Sequence, residues 1–395
     1  MSANTPIYSE ARIKQAKGAS VVAFIVNGFA LGSLIARIPD IKYDLNLNNS
    51  QVGLSLLFVA VGVFIALKPA GLLCAKYGSK PVILLGTGLI AIAVLTIAFS
   101  NSLFTLRLAL FLLGFTTATH DIAMNAHAIT LEKYAGKRMM GFLHANFSIG
   151  TLTGAIVGGA FSQFDISIYT QEITLALLLF VLIFLLWKKY LPAESDVHKN
   201  ENADGKHQRS PLIFWILGFF GLCAAMGEGA AGDWGGVLAR DTFGATPFVS
   251  TIPYIAYSAT MVIGRLSCDR LANRFGAANV IRGGGLISSL GMLTGLLVGQ
   301  IGGIVFGWFC VGLGLSIVMP LIFSAAGKMA HDEFTGVIAP SVAVARVSGT
   351  AYFGFMIGPP VIGLLADQVT LRWAMLLVVL LSSVLLFGGK YARNN

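Results

Sequence analysis

Long apolar runs alternate with short polar breaks along almost the whole chain. A helix that crosses a bilayer needs about 20 mostly apolar residues. Twelve runs approach that length: 18–36, 52–72, 81–100, 104–130, 141–161, 171–190, 211–232, 248–268, 279–299, 301–327, 342–365 and 371–389. Most breaks are short. The exception is 191–210, where PAESDVHKNENADGKHQRS separates six runs from six. The pattern predicts an all-α membrane protein with twelve transmembrane helices in two bundles. The N-terminal bundle is expected over 1–190, a cytoplasmic linker over 191–210, and the C-terminal bundle over 211–395.

Composition agrees with this pattern. Hydrophobic residues make up 56% of the chain and charged residues 11%, against roughly 25% charged in soluble domains. The formal net charge is +9, and its placement gives it meaning. With a cytoplasmic N-terminus, eighteen Lys and Arg fall in cytoplasmic segments and five on the other side. That asymmetry predicts both termini inside a bacterial cytoplasmic membrane. No basic stretch is interleaved with aromatics, so no nucleic-acid partner is expected. Cys74, Cys223, Cys268 and Cys310 lie in or beside apolar runs without metal spacing, and they read as buried small side chains. The polar arm 1–17 leads into the first run without a cleavage signature, which predicts a retained first helix.

The two sets of six echo each other. Lys76-Tyr77-Gly78 follows the second run, and Arg274-Phe275-Gly276 follows the eighth. Gly150, Gly154 and Gly159 in the fifth run recur at one constant offset as Gly354, Gly358 and Gly363 in the eleventh. We read two structural repeats related by an axis along the membrane normal, with a substrate site expected between them near the midplane.

Gly71-Leu72-Leu73-Cys74-Ala75-Lys76-Tyr77-Gly78-Ser79-Lys80 resembles the signature G-x-L-x-D-R-x-G-R-K of the major facilitator superfamily, with Ala75 at the acidic position. The glycines of the fifth run resemble that superfamily's antiporter signature, with Ala155 at its proline position. Glu228-Gly229-Ala230-Ala231-Gly232-Asp233-Trp234, Asp121 with Met124-Asn125, His144 and Gly358-Pro359-Pro360 are similar to a MosC-like branch near the fucose permease-like sugar transporters. The resemblance covers essentially the whole chain. It implies the major facilitator fold and a small, polar, sugar- or cyclitol-like cargo.

Candidate chemistry concentrates where polar groups interrupt apolar runs. An ionisable side chain at bilayer depth costs a few kcal/mol and is usually kept for a cavity or a partner. In the fourth run, Thr116, Thr117, His120, Asp121, Met124, Asn125, His127 and Ala128 share one half of a helical wheel. In the seventh run, five glycines between Gly227 and Gly236 surround Glu228, Asp233 and Trp234. Counting from Pro211 puts Glu228 in the outer half of its helix, whereas Asp121 falls in the inner half of its own. Asp121 and Glu228 are the candidate proton-coupling carboxylates. Asn27, His120, Asn125, His144, Asn146, Asp233, Trp234, Tyr254 and Tyr257 are candidate substrate contacts, the tyrosines offering a ring face and a hydroxyl. Ser258, Met261 and Arg265 share the face of Tyr254 and Tyr257. Gly71, Gly78, Lys80, Glu132, Arg138, Asp269, Arg270 and Arg274 are candidate gating residues at the cytoplasmic ends.

No nucleotide loop, catalytic triad order or metal spacing stands out, so no enzyme activity, cofactor or metal is expected. The partners expected are a small-molecule substrate, protons and the lipid bilayer, with the chain a monomer. The leading expectation is proton-coupled symport by alternating access. One rival is a proton-coupled or facilitative exporter of drugs or metabolites. Another, of a different class, is a membrane sensor that binds without transporting.

Overall fold

The computed structural model describes residues 8–195, 211–334, 337–338 and 340–388; the side chains of 269, 340 and 341 lie outside the described set. Among the described residues, fourteen α-helices run in the order α1 (Glu10–Asp44), α2 (Asn49–Tyr77), α3 (Ser79–Ala98), α4 (Leu103–Ala135), α5 (Met140–Gln163), α6 (Ile168–Leu186), α7 (Leu212–Phe243), α8 (Ile252–Phe275), α9 (Ala277–Val298), α10 (Ile301–Leu315), α11 (Val318–Asp332), α12 (Pro340–Val369), α13 (Leu371–Ala374) and α14 (Leu376–Gly388). Among the described residues, eleven segments are long and apolar enough to cross a membrane; α10 with α11 forms one of them and α13 with α14 another. α8 completes the twelve by length, although Arg265, Arg270 and Arg274 hold down its apolarity.

The tenth run differs from its expected single helix. It breaks at Ser316 and Ile317. Pro320 has no N–H to offer the Ser316 carbonyl, and its ring crowds that oxygen, so an unbroken α-helix is disfavoured there. Elsewhere the ends follow ordinary chemistry. Ser102 opens α4 through a capping box with Thr105, and Gly136 closes the helix in the left-handed region.

Close contacts divide the described chain into two compact units. One holds the residues up to 37 and those from 58 to 195; the other holds 38–57 and the residues from 211 onwards.

The repeat is visible in the backbone of each unit. In the first, Gly150 and Gly154 of α5 press on the carbonyls of Ile25 and Phe29 of α1. In the second, Gly354 of α12 presses on the Leu222 carbonyl of α7, and Gly358 lies in ordinary contact with Met226. Gly114 meets the Val59 carbonyl just as Gly312 meets the Tyr257 carbonyl, and the two pairs share one sequence offset. Small residues at these positions let helix backbones approach, which is how membrane helices associate without a hydrophobic driving force. Gly78 and Gly276 close α2 and α8 at φ 78° and 79°, a conformation that favours glycine. The K-Y-G and R-F-G echoes thus mark the same turn in both repeats.

Candidate functional site

In the first unit, the polar residues of α4 point in two directions. Asp121 and Asn125 are half-buried near the middle of the helix, and the Asn125 amide donates to the Asp121 carbonyl oxygen at 2.8 Å. His120 is fully buried instead. It packs where a Cβ on Gly86 of α3 would touch it, and neither ring nitrogen has a partner among the described residues. His127 is also buried. Its Nδ1 lies 2.9 Å from Ser79 Oγ, and its Nε2 accepts from the Leu191 N–H at 3.4 Å. Accepting at Nε2 leaves the ring proton on Nδ1, donated to Ser79. The polar half-wheel therefore holds a half-buried pair, Asp121 with Asn125, and histidines turned into helix contacts.

Asn27 is buried and donates to the Thr117 carbonyl at 3.3 Å and to Met124 Sδ at 3.9 Å, which bridges α1 to α4. His144 is exposed on α5, edge-on to Phe24 at 5.3 Å. The Asn146 amide donates to the Phe142 carbonyl one turn back.

In the second unit, α7 and α8 bring a fuller constellation together. Helix α7 runs on to Phe243, so Glu228 lies near its midpoint and not in its outer half. Its Oε2 accepts from Arg265 of α8 at 3.5 Å, while its Oε1 is buried without a partner among the described residues. The Tyr257 hydroxyl lies beside the same carboxylate. Tyr254 and Tyr257 stack at 6.1 Å between centroids. Asp233 neighbours Tyr254 and reaches back along α7 to Gly229, where α12 contributes Phe355. Trp234 faces elsewhere. It is fully buried, and its ring packs on Gly363 of α12.

Residues 20–340 match the Major Facilitator Superfamily. The chain belongs to that superfamily. Among its relatives is the membrane protein MosC of Rhizobium meliloti, 28% identical over 90% of this chain and 85% of that one. The tetracycline resistance protein of class H from Pasteurella multocida is 24% identical, with 82% of each chain covered. The fold matches the crystal structure of a bacterial homologue of the human lysosomal transporter Spinster, with a TM-score of 0.78 at 11% identity over 98% of this chain and 100% of that one. A major facilitator transporter is a multi-pass membrane protein that carries a small-molecule substrate. That is the setting in which these buried polar groups act.

The expected gating residues of this transporter take several roles. Among the described residues, Glu132 pairs with no basic side chain. Its carboxylate accepts from the backbone N–H groups of Met139 and Met140, capping α5. Glu132→Ala is expected to lower the unfolding temperature by leaving those N–H groups without their acceptor; an unchanged transition would refute the capping role. Lys80 is half-buried, and Arg138, Arg270 and Arg274 are exposed, Arg274 over the Phe275 ring. Among the described residues none of these five side chains forms an ion pair. Gly71 has open space around it, and the side chain of Asp269 lies outside the described residues.

Sequence reasoning missed two polar clusters. Arg37, Gln171 and Glu172 are all buried in the first unit. Arg37 donates to the Ile166 carbonyl at 2.8 Å, and Gln171 donates to Glu172 at 3.0 Å. The signal was an acid at the start of an otherwise apolar run. In the second unit, Arg240 pairs with Asp40, Asp241 with Lys42 and Tyr43, and the Asp367 carboxylate accepts from the N–H groups of Asn49 and Ser50 at 3.2 and 2.9 Å. These pairs join residues far apart in sequence, so no local pattern announces them.

Proposed function

We propose that this transporter is a proton-coupled symporter of a small polar solute, working by alternating access of two halves, 1–190 and 211–395, joined by the 191–210 linker. It acts as a monomer in a bacterial cytoplasmic membrane with both termini inside. The observation that carries this reading is Glu228. It is a carboxylate near the middle of a membrane helix, beside a tyrosine stack, held by the Tyr257 hydroxyl and by a long contact to Arg265. A carboxylate kept at that depth must be neutralised by a cation or by a proton, and Glu228 can alternate between the two. Asp121, half-buried and next to Asn125, is the second candidate for the proton.

Proteoliposomes holding a pH-sensitive dye test the reading. A panel of sugars, cyclitols and hydroxy acids is added outside under an inward proton gradient. At least one solute is expected to enter faster with the gradient than without it and to acidify the lumen. Uptake that ignores the gradient for every solute would overturn symport. Asp121→Asn is expected to slow gradient-driven uptake by about tenfold or more, the loss from removing about 1.4 kcal/mol of coupling. Wild-type rates in that variant would exclude Asp121 from the proton path.

A second reading is export, favoured by the similarity to a tetracycline resistance protein. Under it, cells lacking the gene would accumulate more of a tetracycline, and expression would raise their resistance.

A further inference from the structure

A full positive charge, Arg265, sits near the middle of α8. Arg265 is half-open, its side chain 49% exposed against 9% for Glu228. Among the described residues Glu228 is its only hydrogen-bond partner, through one contact at 3.5 Å. A guanidinium carries five N–H donors in a planar fork, so most of them are uncommitted. Helix α8 also carries Tyr254 and Tyr257, stacked on the Glu228 side.

We propose that Arg265 is the receptor for an anionic group on the cargo, and that the cargo is a small hydroxylated organic acid bearing one carboxylate. This rests on the reading of Glu228 as the proton carrier. A planar guanidinium matches a carboxylate through two parallel N–H···O bonds. A neutral sugar offers nothing to offset the cation. A phosphate dianion brings more negative charge than one guanidinium balances. The tyrosine stack supplies ring faces and hydroxyls for the hydroxylated remainder of the molecule.

Glu228 then acts as the competitor. Ionised, it holds Arg265 and closes the receptor. Protonated by water from the side on which cargo enters, it becomes a neutral acid and releases the guanidinium to the cargo's carboxylate. One O–H bond forms on Glu228 and is broken again on release inside. The groups around Glu228 fit this exchange. Helix α8 turns Arg265 and Tyr257 towards it. Helix α12 contributes Phe355 beside Gly229, while α10 and α14 place Leu315 and Val378 beside Gly227. Carrying one proton with one monoanion moves no net charge.

The test uses the purified full-length protein and measures its unfolding temperature with gluconate, glucuronate, glucose, glucosamine or glucose 6-phosphate at pH 5.5 and pH 8. Binding to the native state raises that temperature. Gluconate or glucuronate is expected to stabilise more than glucose, glucosamine or glucose 6-phosphate, and more strongly at pH 5.5. Arg265→Gln is expected to weaken the acid's apparent affinity by about tenfold or more. Arg265→Lys, which keeps the charge but loses the fork, should recover part of it and serves as the folding control. If neither acid outperforms glucose, or if Arg265→Gln binds the acid as the wild type does, the proposal is overturned. Glu228→Gln separates it from the reading beneath it. Acid binding that loses its pH dependence there supports both. Acid binding that stays Arg265-dependent and keeps its pH dependence sinks Glu228 as the proton carrier but leaves Arg265 as the receptor.

Discussion

Glu228→Gln is expected to abolish accumulation against a gradient while leaving the transporter folded and able to exchange cargo. Gln keeps the volume of the acid and a carbonyl oxygen for Arg265, so the contact at the centre of α7 and α8 survives in its neutral form. What is lost is titration. A carrier that moves one proton with each neutral complex can concentrate cargo about tenfold per pH unit across the membrane, since one unit is worth about 1.4 kcal/mol. In proteoliposomes with a one-unit gradient, wild-type protein should approach that ratio and Glu228→Gln should settle near unity. Exchange of labelled for unlabelled cargo needs no net proton movement and should persist. Glu228→Ala is the harsher change. It leaves Arg265 without its partner; because that guanidinium is half-open, screening holds the loss of the pair itself to about 1 kcal/mol or less, and the emptied side-chain volume adds to it. Wild-type accumulation by Glu228→Gln would remove this residue from the coupling path.

Gly32→Val is expected to be the most damaging single change to folding. Gly32 and Gly28 on α1 lie against the backbone of α5. A Cβ on Gly32 would fall inside the van der Waals envelope of the Thr151 carbonyl oxygen, and one on Gly28 would do the same to Phe147. The clashing atoms belong to a helix backbone, so no side-chain rotation relieves the overlap. Overpacking a well-packed interior typically costs about 1–3 kcal/mol, and a rigid backbone contact belongs at or above the upper end. Total stability is only about 5–15 kcal/mol. Gly18→Val on the same helix is the comparison, because a Cβ there meets nothing within 4 Å. After detergent extraction and size-exclusion chromatography, Gly18→Val should remain monodisperse and Gly32→Val should aggregate or unfold at a much lower temperature. Equal behaviour of the two variants would contradict the packing argument.

Hydropathy made most of the fold legible, because a bilayer demands length and apolarity of every crossing segment. It could not locate the break at Ser316 and Ile317, since a proline near a helix start does not reveal whether the run before it continues. It also misplaced Glu228, because the apolar run ends near Gly232 while the helix continues through more polar residues to Phe243. Periodicity told which residues of α4 share an arc, but a half-turn is wide enough to face more than one neighbour. His120 looks into α3, while the adjacent Asp121 stays half-buried. The face shared by Tyr254, Tyr257 and Arg265 was readable along α8. That Glu228 stands opposite Arg265 was not, because pairing across helices depends on docking, which sequence spacing does not encode. Arg37 and Glu172 escaped for the same reason. Each looks like an interfacial charge when taken alone.

The stretch 38–57 groups with the residues that follow the linker, through Asp40, Lys42, Tyr43, Asn49 and Ser50. The compact bodies of this protein therefore do not coincide with the halves of its gene. A reading frame cut at the linker would encode two incomplete pieces. The first would carry a hairpin whose charged side chains and exposed helix start have lost their partners. The second would lack one wall of its own body, leaving Arg240, Asp241 and Asp367 with nothing to hold.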